Sequence, residues 1–420
     1  MPASRDDALA ILRRLRDAGH IAYFAGGCVR DLLLGLEPKD YDVATDAPPQ
    51  RVRQIFSNTQ AVGAAFGVIL VRHRGSSVEV ATFRTDLNYV DGRRPEGVVF
   101  TTAEVDARRR DFTINGLFLD PIDNRVIDYV GGQEDLKNKI LRAIGEPDHR
   151  FEEDHLRMLR AVRFAARFDL QIDPTTAQAI RHHAPQLKRI SPERIADELR
   201  DILTPPSRIR SWELLKDLAL LPEIVRKLTS TPALKYPLMA NIAAGEEISF
   251  GFALAVACLD CLLTTDDLRP LLTSPAVRRM VSAMRQTLKI SNEESDELAF
   301  TLTNLAPLLA DSEPTIVDKK RFLAKLAASN SLELMQTLLK LNLHTQRIGQ
   351  LLPELLALRQ TDYAPAPFIT GDDLIVAGLA PGPAFKRALD AVYDAQLEGR
   401  ITNRDDALAF AIQLINPTHG

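Results

Sequence analysis

"GGCVRDLLLGLEPKDYDVAT", residues 26–45, is the stretch on which the reading of the fold turns. Gly26 and Gly27 bare the backbone where "IAYFAGG" reads as a buried strand ending in a turn and "VRDLLLGL" as a short helix. Such a turn presents backbone N–H groups beside a helix N-terminus, a cradle for phosphate. In a strand, residues i and i+2 share a face, so "DYDVAT" sets the carboxylates of Asp40 and Asp42 side by side while Tyr41 points away. Two like charges so close destabilise each other unless a cation joins them. The pair therefore reads as a divalent-metal site, with Mg2+ the expected ion, against the plainer alternative of a polar strand entrance. Downstream, Glu79 in "SSVEVATFR" lies on a strand that can bring a third carboxylate alongside. Glycines for phosphates and clustered carboxylates for metal together point to nucleotidyl transfer.

Around this stretch the first ~140 residues alternate between strand-like and helical patterns, which predicts an α/β-textured domain with a hairpin over "FGVILVRHRGSSVEVATFRT", its tip at "RGSS". From about residue 150 the texture changes to amphipathic helices rich in Ala, Leu and Arg, punctuated by "TPPS" and "SEPT", and a Pro-rich joint precedes a last helical module in which "TNRDD" supplies an N-cap. The expected domains are 1–140, 141–205, 206–360 and 361–420. Fifty-two basic and 56 acidic residues give a net charge of −4, so a polyanionic partner must meet a local patch rather than a basic whole. Three cysteines without regular spacing argue against a disulfide framework, and "MPASRDDALA" lacks a signal-peptide core. No apolar run approaches the ~18 residues of a membrane span. A cytoplasmic protein without a membrane partner, monomer or homodimer, is the expectation. Cys258 and Cys261 have half-site zinc spacing but read as two small apolar residues on a buried helix.

A family resemblance extends this reading. "GGCVRDLLLG...KDYDVAT", "EVATFRTD...YVDGRRP", "RRRDFTING", "DYVGGQEDL...ILRAIG", "FEEDHLRMLRAVRFAARF" and "ISPERIADELRDIL" run in order from about residue 20 to 205. They resemble the successive motifs of class II tRNA nucleotidyltransferases, the CCA-adding enzymes, and of the related bacterial poly(A) polymerases. The resemblance implies an α+β chain: a polymerase-β-like nucleotidyltransferase head, with a mixed sheet and flanking helices, followed by an all-α neck, body and tail. It implies template-independent addition of C and A to the tRNA 3' end from CTP and ATP. Poly(A) synthesis, a CC-only or A-only specialist and a non-catalytic RNA-binding protein are the alternatives.

The resemblance assigns Asp40 and Asp42 to metal and Gly26, Gly27 and Arg30 to the incoming triphosphate, with Asp31 structural. Glu79 falls where the wider fold carries its third carboxylate, to polarise the primer hydroxyl, and a strand-face salt bridge is the competing reading. Arg109, Arg110, Asp111 and Asn115 follow a polar loop, Arg110 and Asn115 being suited to triphosphate or ribose because guanidinium grips phosphate bidentately. Gly116 stands where the family usually has alanine, at a cost of ~1 kcal/mol if the position is helical.

Asp154 and Arg157, three apart, are expected to share a helical face that Arg160, Arg163 and Arg167 continue. As a solvated ion pair they contribute little. As a base-reading pair, the carboxylate accepts from the exocyclic amine and the arginine donates to the ring nitrogen that cytosine and adenine have in common. Uracil and guanine place an acceptor against the carboxylate and are rejected. Arg160 and Arg163 would then lie near phosphates or the second base edge, and Arg167 along the RNA path.

"TDLNYVDGRRPEGVVF" reads as a mobile loop with a turn at Asp91-Gly92. In the family such a loop helps the switch from C to A addition. "DYVGGQEDL" resembles the head-to-neck hinge, with Asp128 and Asp135 as anchors, or else an ordinary turn and helix start. Ser191 and Pro192 start a supporting helix. His182-His183 is set aside as a metal pair, because adjacent helical residues diverge by about 100°. The helical half is expected to hold the tRNA acceptor and T arms by phosphate and shape. Arg278-Arg279 and Lys319-Lys320-Arg321 read there as ordinary surface charges.

Overall fold

The computed structural model describes residues 4–63, 67–90 and 94–416. The chain divides into two compact units, Met1–Leu203 with Arg210–Ile224, and Thr204–Ile209 with Val225–Gly420.

The first unit opens on α1, Arg5–Asp17, capped by the Ser4 hydroxyl, which accepts from the Asp7 N–H. Ala8, Ile11, Leu12 and Leu15 recur at helical spacing and are its buried face. Next come β1 (Ala22–Ala25), α2 (Gly27–Leu33), β2 (Val43–Thr45) and α3 (Pro49–Ile55). The strands β3 (Thr59–Gly63), β4 (Val68–His73) and β5 (Ser76–Thr82) follow. The predicted hairpin is β4–β5, turning at Arg74-Gly75. A seven-stranded mixed sheet runs β3-β4-β5-β2-β1-β8-β9, where β8 is Leu117–Asp120 and β9 is Arg125–Asp128.

Register positions the acids. Strands β2 and β5 are parallel neighbours with Val43 opposite Val80, so one residue earlier Asp42 lies beside Glu79 on the same face. Regular strand begins only at Val43, but the Asp42 carbonyl still accepts from the Ala25 N–H at 3.1 Å, extending the ladder to the aspartate. Between the two acids Tyr41 turns inward onto Phe24, ring centroids 5.3 Å apart. The acidic lead into β2 is thereby anchored from below.

The stretch read as a mobile loop is an antiparallel hairpin, β6 (Arg84–Val90) with β7 (Arg94–Phe100). Asp91, Gly92 and Arg93 at its turn lie outside the described residues. After α4 (Ala103–Arg108) and β9 comes α5 (Gly132–Lys137), preceded by Asp128, whose carboxylate accepts from the N–H groups of Val130, Gly131, Gly132 and Gln133. A short parallel pair, β10 (Ile140–Leu141) with β11 (Gln171–Ile172), accompanies four helices. These are α6 (Pro147–Glu153), α7 (Arg157–Arg167), α8 (Pro174–His183) and α9 (Pro192–Leu203).

The second unit is helical. Its helix Phe250–Leu262 is buried almost all round and carries Cys258 and Cys261, both free thiols that burial pushes to high pKa. At its C-terminal end, helices 371–376, 383–397 and 404–415 close around Leu374, Ala388, Val392 and Ala407, and Asn403 caps the last of them as expected. Among the described residues no helix is long and apolar enough to cross a membrane.

Candidate active site

A cleft of about 1170 Å3 opens in the first unit. Gly26, Gly27 and Arg30 line it from the turn into α2, Asp40 and Asp42 from the lead into β2, and Arg110, Asp111 and Asn115 from the segment before β8. Asp154, Arg157, Arg160 and Arg163 line it from α7 and the turn before it. The cleft thus collects every predicted site residue except Glu79. Glu79 is exposed and stands just outside the lining, beside Asp42.

Burial, and then the charges of Glu79 and Asp40, push the Asp42 carboxyl up to about 7, with Arg110 offsetting only part of the effect. Glu79 makes no ion pair among the described residues, so the salt-bridge reading has no partner there. Asp40 and Asp42 line the cleft with Glu79 alongside, all-oxygen donors of the kind a hard divalent cation takes, although the three do not close to within 4.8 Å of one another.

The glycine turn is built for close approach. Gly26 has φ +72°, and a Cβ there would sit 2.8 Å from Arg110 Nη1. No side chain caps α2. Arg110 is held by the buried Asp106 at 3.0 Å and by the Asn115 carbonyl at 3.1 Å, with its guanidinium over the Phe118 ring. The same Asp106 takes Arg109 at 2.9 Å.

Arg30 is buried and committed. It donates to Asp31 at 2.6 and 2.8 Å and to Asn115 Oδ1 at 2.6 Å, its guanidinium carbon 4.3 Å from the Phe168 ring centroid. Burial lowers its pKa, against the pull of Asp31. Asn115 donates onward to Asp111 at 2.9 Å, and Asp111 receives Arg160 at 2.6 and 2.9 Å. Burial alone would raise Asp111, but Arg160 and these hydrogen bonds outweigh it and hold the carboxyl low. Glu198 on α9 continues the chain, 3.2 Å from Arg163, which also reaches Asp201 at 2.5 Å. A hydrogen-bonded polar line therefore runs from α2 to Arg160 on α7, and looser ion pairs carry it to α9, with Arg160 3.9 Å from Glu198.

Asp154 and Arg157 share the cleft but not a helical face. Helix α6 ends at Glu153, Asp154 is extended with φ −149° and ψ 104°, and α7 begins at Arg157. The Asp154 carboxylate accepts from the Leu156 N–H at 3.0 Å and from Arg194 at 2.9 Å. Arg157 pairs with Glu153 at 2.5 Å instead. The i,i+3 pairing expected from spacing is overturned because the local cap and Arg194 stop the helix.

Two family models match the chain, the poly A polymerase head domain over residues 22–142 and the probable RNA and SrmB-binding site of polymerase A over 169–231. The CCA-adding enzyme of Geobacillus thermodenitrificans (strain NG80-2) is 35% identical over 417 residues, 96% of this chain and 95% of that one. The chain belongs to the CCA-adding enzyme family. The crystal structure of the Bacillus stearothermophilus CCA-adding enzyme in complex with CTP has a TM-score of 0.73 at 30% identity, covering 97% of this chain and 96% of that one. The Thermotoga maritima CCA-adding enzyme complexed with tRNA_CCA, 21% identical with a TM-score of 0.69 and coverage of 97% and 94%, shares the fold.

Against the family motifs several local readings change. Gly116 follows a 3-10 turn, Thr113–Asn115, and is not α-helical, so no helix penalty applies. A Cβ there would meet Val130 Cγ2 at 2.7 Å. The glycines of the hinge-like motif are pinned by Asp128, while Asp135 takes the Thr113 hydroxyl at 2.7 Å. Lys319, Lys320 and Arg321 are not loose surface charges. They bind Glu354, the Leu397 carbonyl and Asp394. Arg194, Glu198 and Asp201 had gone unnoticed, although their spacing at i, i+4 and i+7 put a polar stripe on one face of α9. His182 and His183 do converge, on Asp148, against the divergence expected of neighbours on a helix.

Proposed function

We propose that the chain completes the 3' CCA end of tRNA from CTP and ATP without a nucleic-acid template. The observation that carries this reading is a single cleft holding both the Asp40/Asp42 pair and side chains able to tell bases apart. Gly26 and Gly27 leave backbone donors bare for the triphosphate, and Arg110, oriented by Asp106, lies within the same wall. Arg30 and Asn115 serve the phosphates or ribose by exchanging partners within the polar line. Mg2+ held by Asp40 and Asp42, with Glu79 beside them, would supply Lewis-acid activation of the primer hydroxyl and neutralise charge on the departing diphosphate.

Asp154 accepts from the exocyclic amine of cytosine or adenine, and Arg157 donates to the neighbouring ring nitrogen. Arg194 orients the Asp154 carboxylate, and Asp111 and Glu198 hold Arg160 and Arg163 toward phosphate or the second base edge. The family relation and the CTP-bound relative support nucleotide selection of this kind. Action on tRNA implies a cytoplasmic location.

Transcripts ending in N, NC and NCC, incubated with CTP and ATP together in Mg2+ and resolved on one gel, test the proposal. Each should be carried to CCA and stop. The polymerase description of the matching head favours a second reading, poly(A) synthesis, which long A ladders would reveal. Arrest at CC or addition of A alone would identify a specialist instead.

A further inference from the structure

Away from the cleft, Asp148 near the start of α6 meets His182 and His183 at the end of α8. His183 Nε2 lies 2.8 Å and His182 Nδ1 3.2 Å from one oxygen of Asp148. Ligand atoms of the three lie within 4.8 Å of one another, the one such His/Asp group among the described residues. The two imidazoles lie close, with centroids 4.7 Å apart and planes tilted by 47°. His183 is buried, and Phe151 and His155 cover it with ring centroids at 6.4 and 6.5 Å. His182 and Asp148 are exposed, so the cluster is walled by protein on one side and open to water on the other.

We propose that Asp148, His182 and His183 form a binding site for a divalent transition ion of the zinc class, separate from the carboxylate site in the cleft. Two imidazole nitrogens and one carboxylate oxygen suit zinc, cobalt or nickel, whereas Mg2+ prefers an all-oxygen shell. Both histidines occupy the last two positions of α8, before a 3-10 turn over Ala184–Arg189, and both side chains reach the same Asp148 oxygen. Tetrahedral ligands bound at ~2.0–2.1 Å stand roughly 3.3 Å apart, so the 2.8 and 3.2 Å separations from Asp148 need only a small expansion to admit an ion. Water would complete the shell on the open side. Binding sheds any proton held on a ligating nitrogen. The ion would tie the first turn of α6 to the end of α8. Since α6 runs directly into the Asp154 turn, this clamp braces the segment that carries Asp154 and Arg157.

Full-length protein, stripped with chelator and kept in millimolar Mg2+, is titrated with Zn2+ against a chromophoric zinc indicator. One zinc per chain at micromolar or tighter affinity is expected in the wild type and in Asp40→Ala/Asp42→Ala, with at least tenfold weaker binding in His182→Ala and in Asp148→Asn. Zinc should raise the unfolding temperature of the wild type by about 3 °C and leave that of His182→Ala unmoved. His182→Ala should still incorporate CTP in Mg2+ at the wild-type rate. Three results would overturn the proposal: no zinc retained over Mg2+, undiminished binding in His182→Ala and Asp148→Asn, or loss of the equivalent in Asp40→Ala/Asp42→Ala.

Discussion

Asp42 carries the sharpest electrostatic conflict in the cleft. Burial and two neighbouring carboxylates hold its folded pKa near 7, above the ~3.9 of an ordinary aspartate. In metal-free protein the folded state therefore binds the extra proton between those values, and stability falls as pH rises through that window. Urea midpoints in chelator should decline from about pH 4 to about 7 and then level, with a flatter course in Asp42→Asn. An equally steep course in that variant would assign the effect elsewhere. Mg2+ competes with the same proton, so its apparent affinity should climb with pH up to about 7. At the selection end of the cleft, Asp154→Ala should keep the fold and lose discrimination against UTP and GTP by about ten- to a hundredfold. Undiminished selection in an incorporation assay would contradict the base-reading role.

Among the elements, the β6–β7 hairpin reaches the cleft through Arg84 and Asp86. Deleting residues 86–95 should arrest tails at CC on a sequencing gel, while continued A addition would separate the hairpin from that step. This element also marks where local sequence misleads. Its charges and glycines read as a loop, and it becomes a ladder only through cross-strand pairing, from Val90 with Arg94 near the turn to Arg84 with Phe100 at the base. Strands β4 and β5 were legible because period-two alternation flanks a glycine turn. That Asp40 and Asp42 line one cleft was legible from their i, i+2 spacing, although regular strand begins only at Val43. The break between α6 and α7 was not, because "FEEDHLRMLRAVRF" has helical periodicity throughout. The forces that stop the helix, Arg194 on Asp154 and the Leu156 N–H cap, come partly from a helix forty residues away. Arg194 and Glu198 were missed for a related reason: their partners lie on α7 and in the turn before it.

For the whole molecule, a net charge of −4 conceals a cleft wall bearing eight arginines against five aspartates. The local patch that the overall charge demanded is present, concentrated beside the acidic pair. Binding of tRNA should weaken linearly in log salt, at a slope of roughly 0.7 to 0.9 per phosphate neutralised. Lys320→Ala should leave that slope unchanged while lowering thermal stability, because its ammonium holds the Leu397 carbonyl at 2.7 Å. A changed slope with unchanged melting would instead put Lys320 on RNA. The account as a whole rests on carboxylates that bring an RNA 3' hydroxyl and a nucleoside triphosphate to reaction. Primer extension by Asp40→Ala/Asp42→Ala in Mg2+ measures this most directly: tRNA binding should persist with incorporation reduced at least a thousandfold, and extension near the wild-type rate would contradict it.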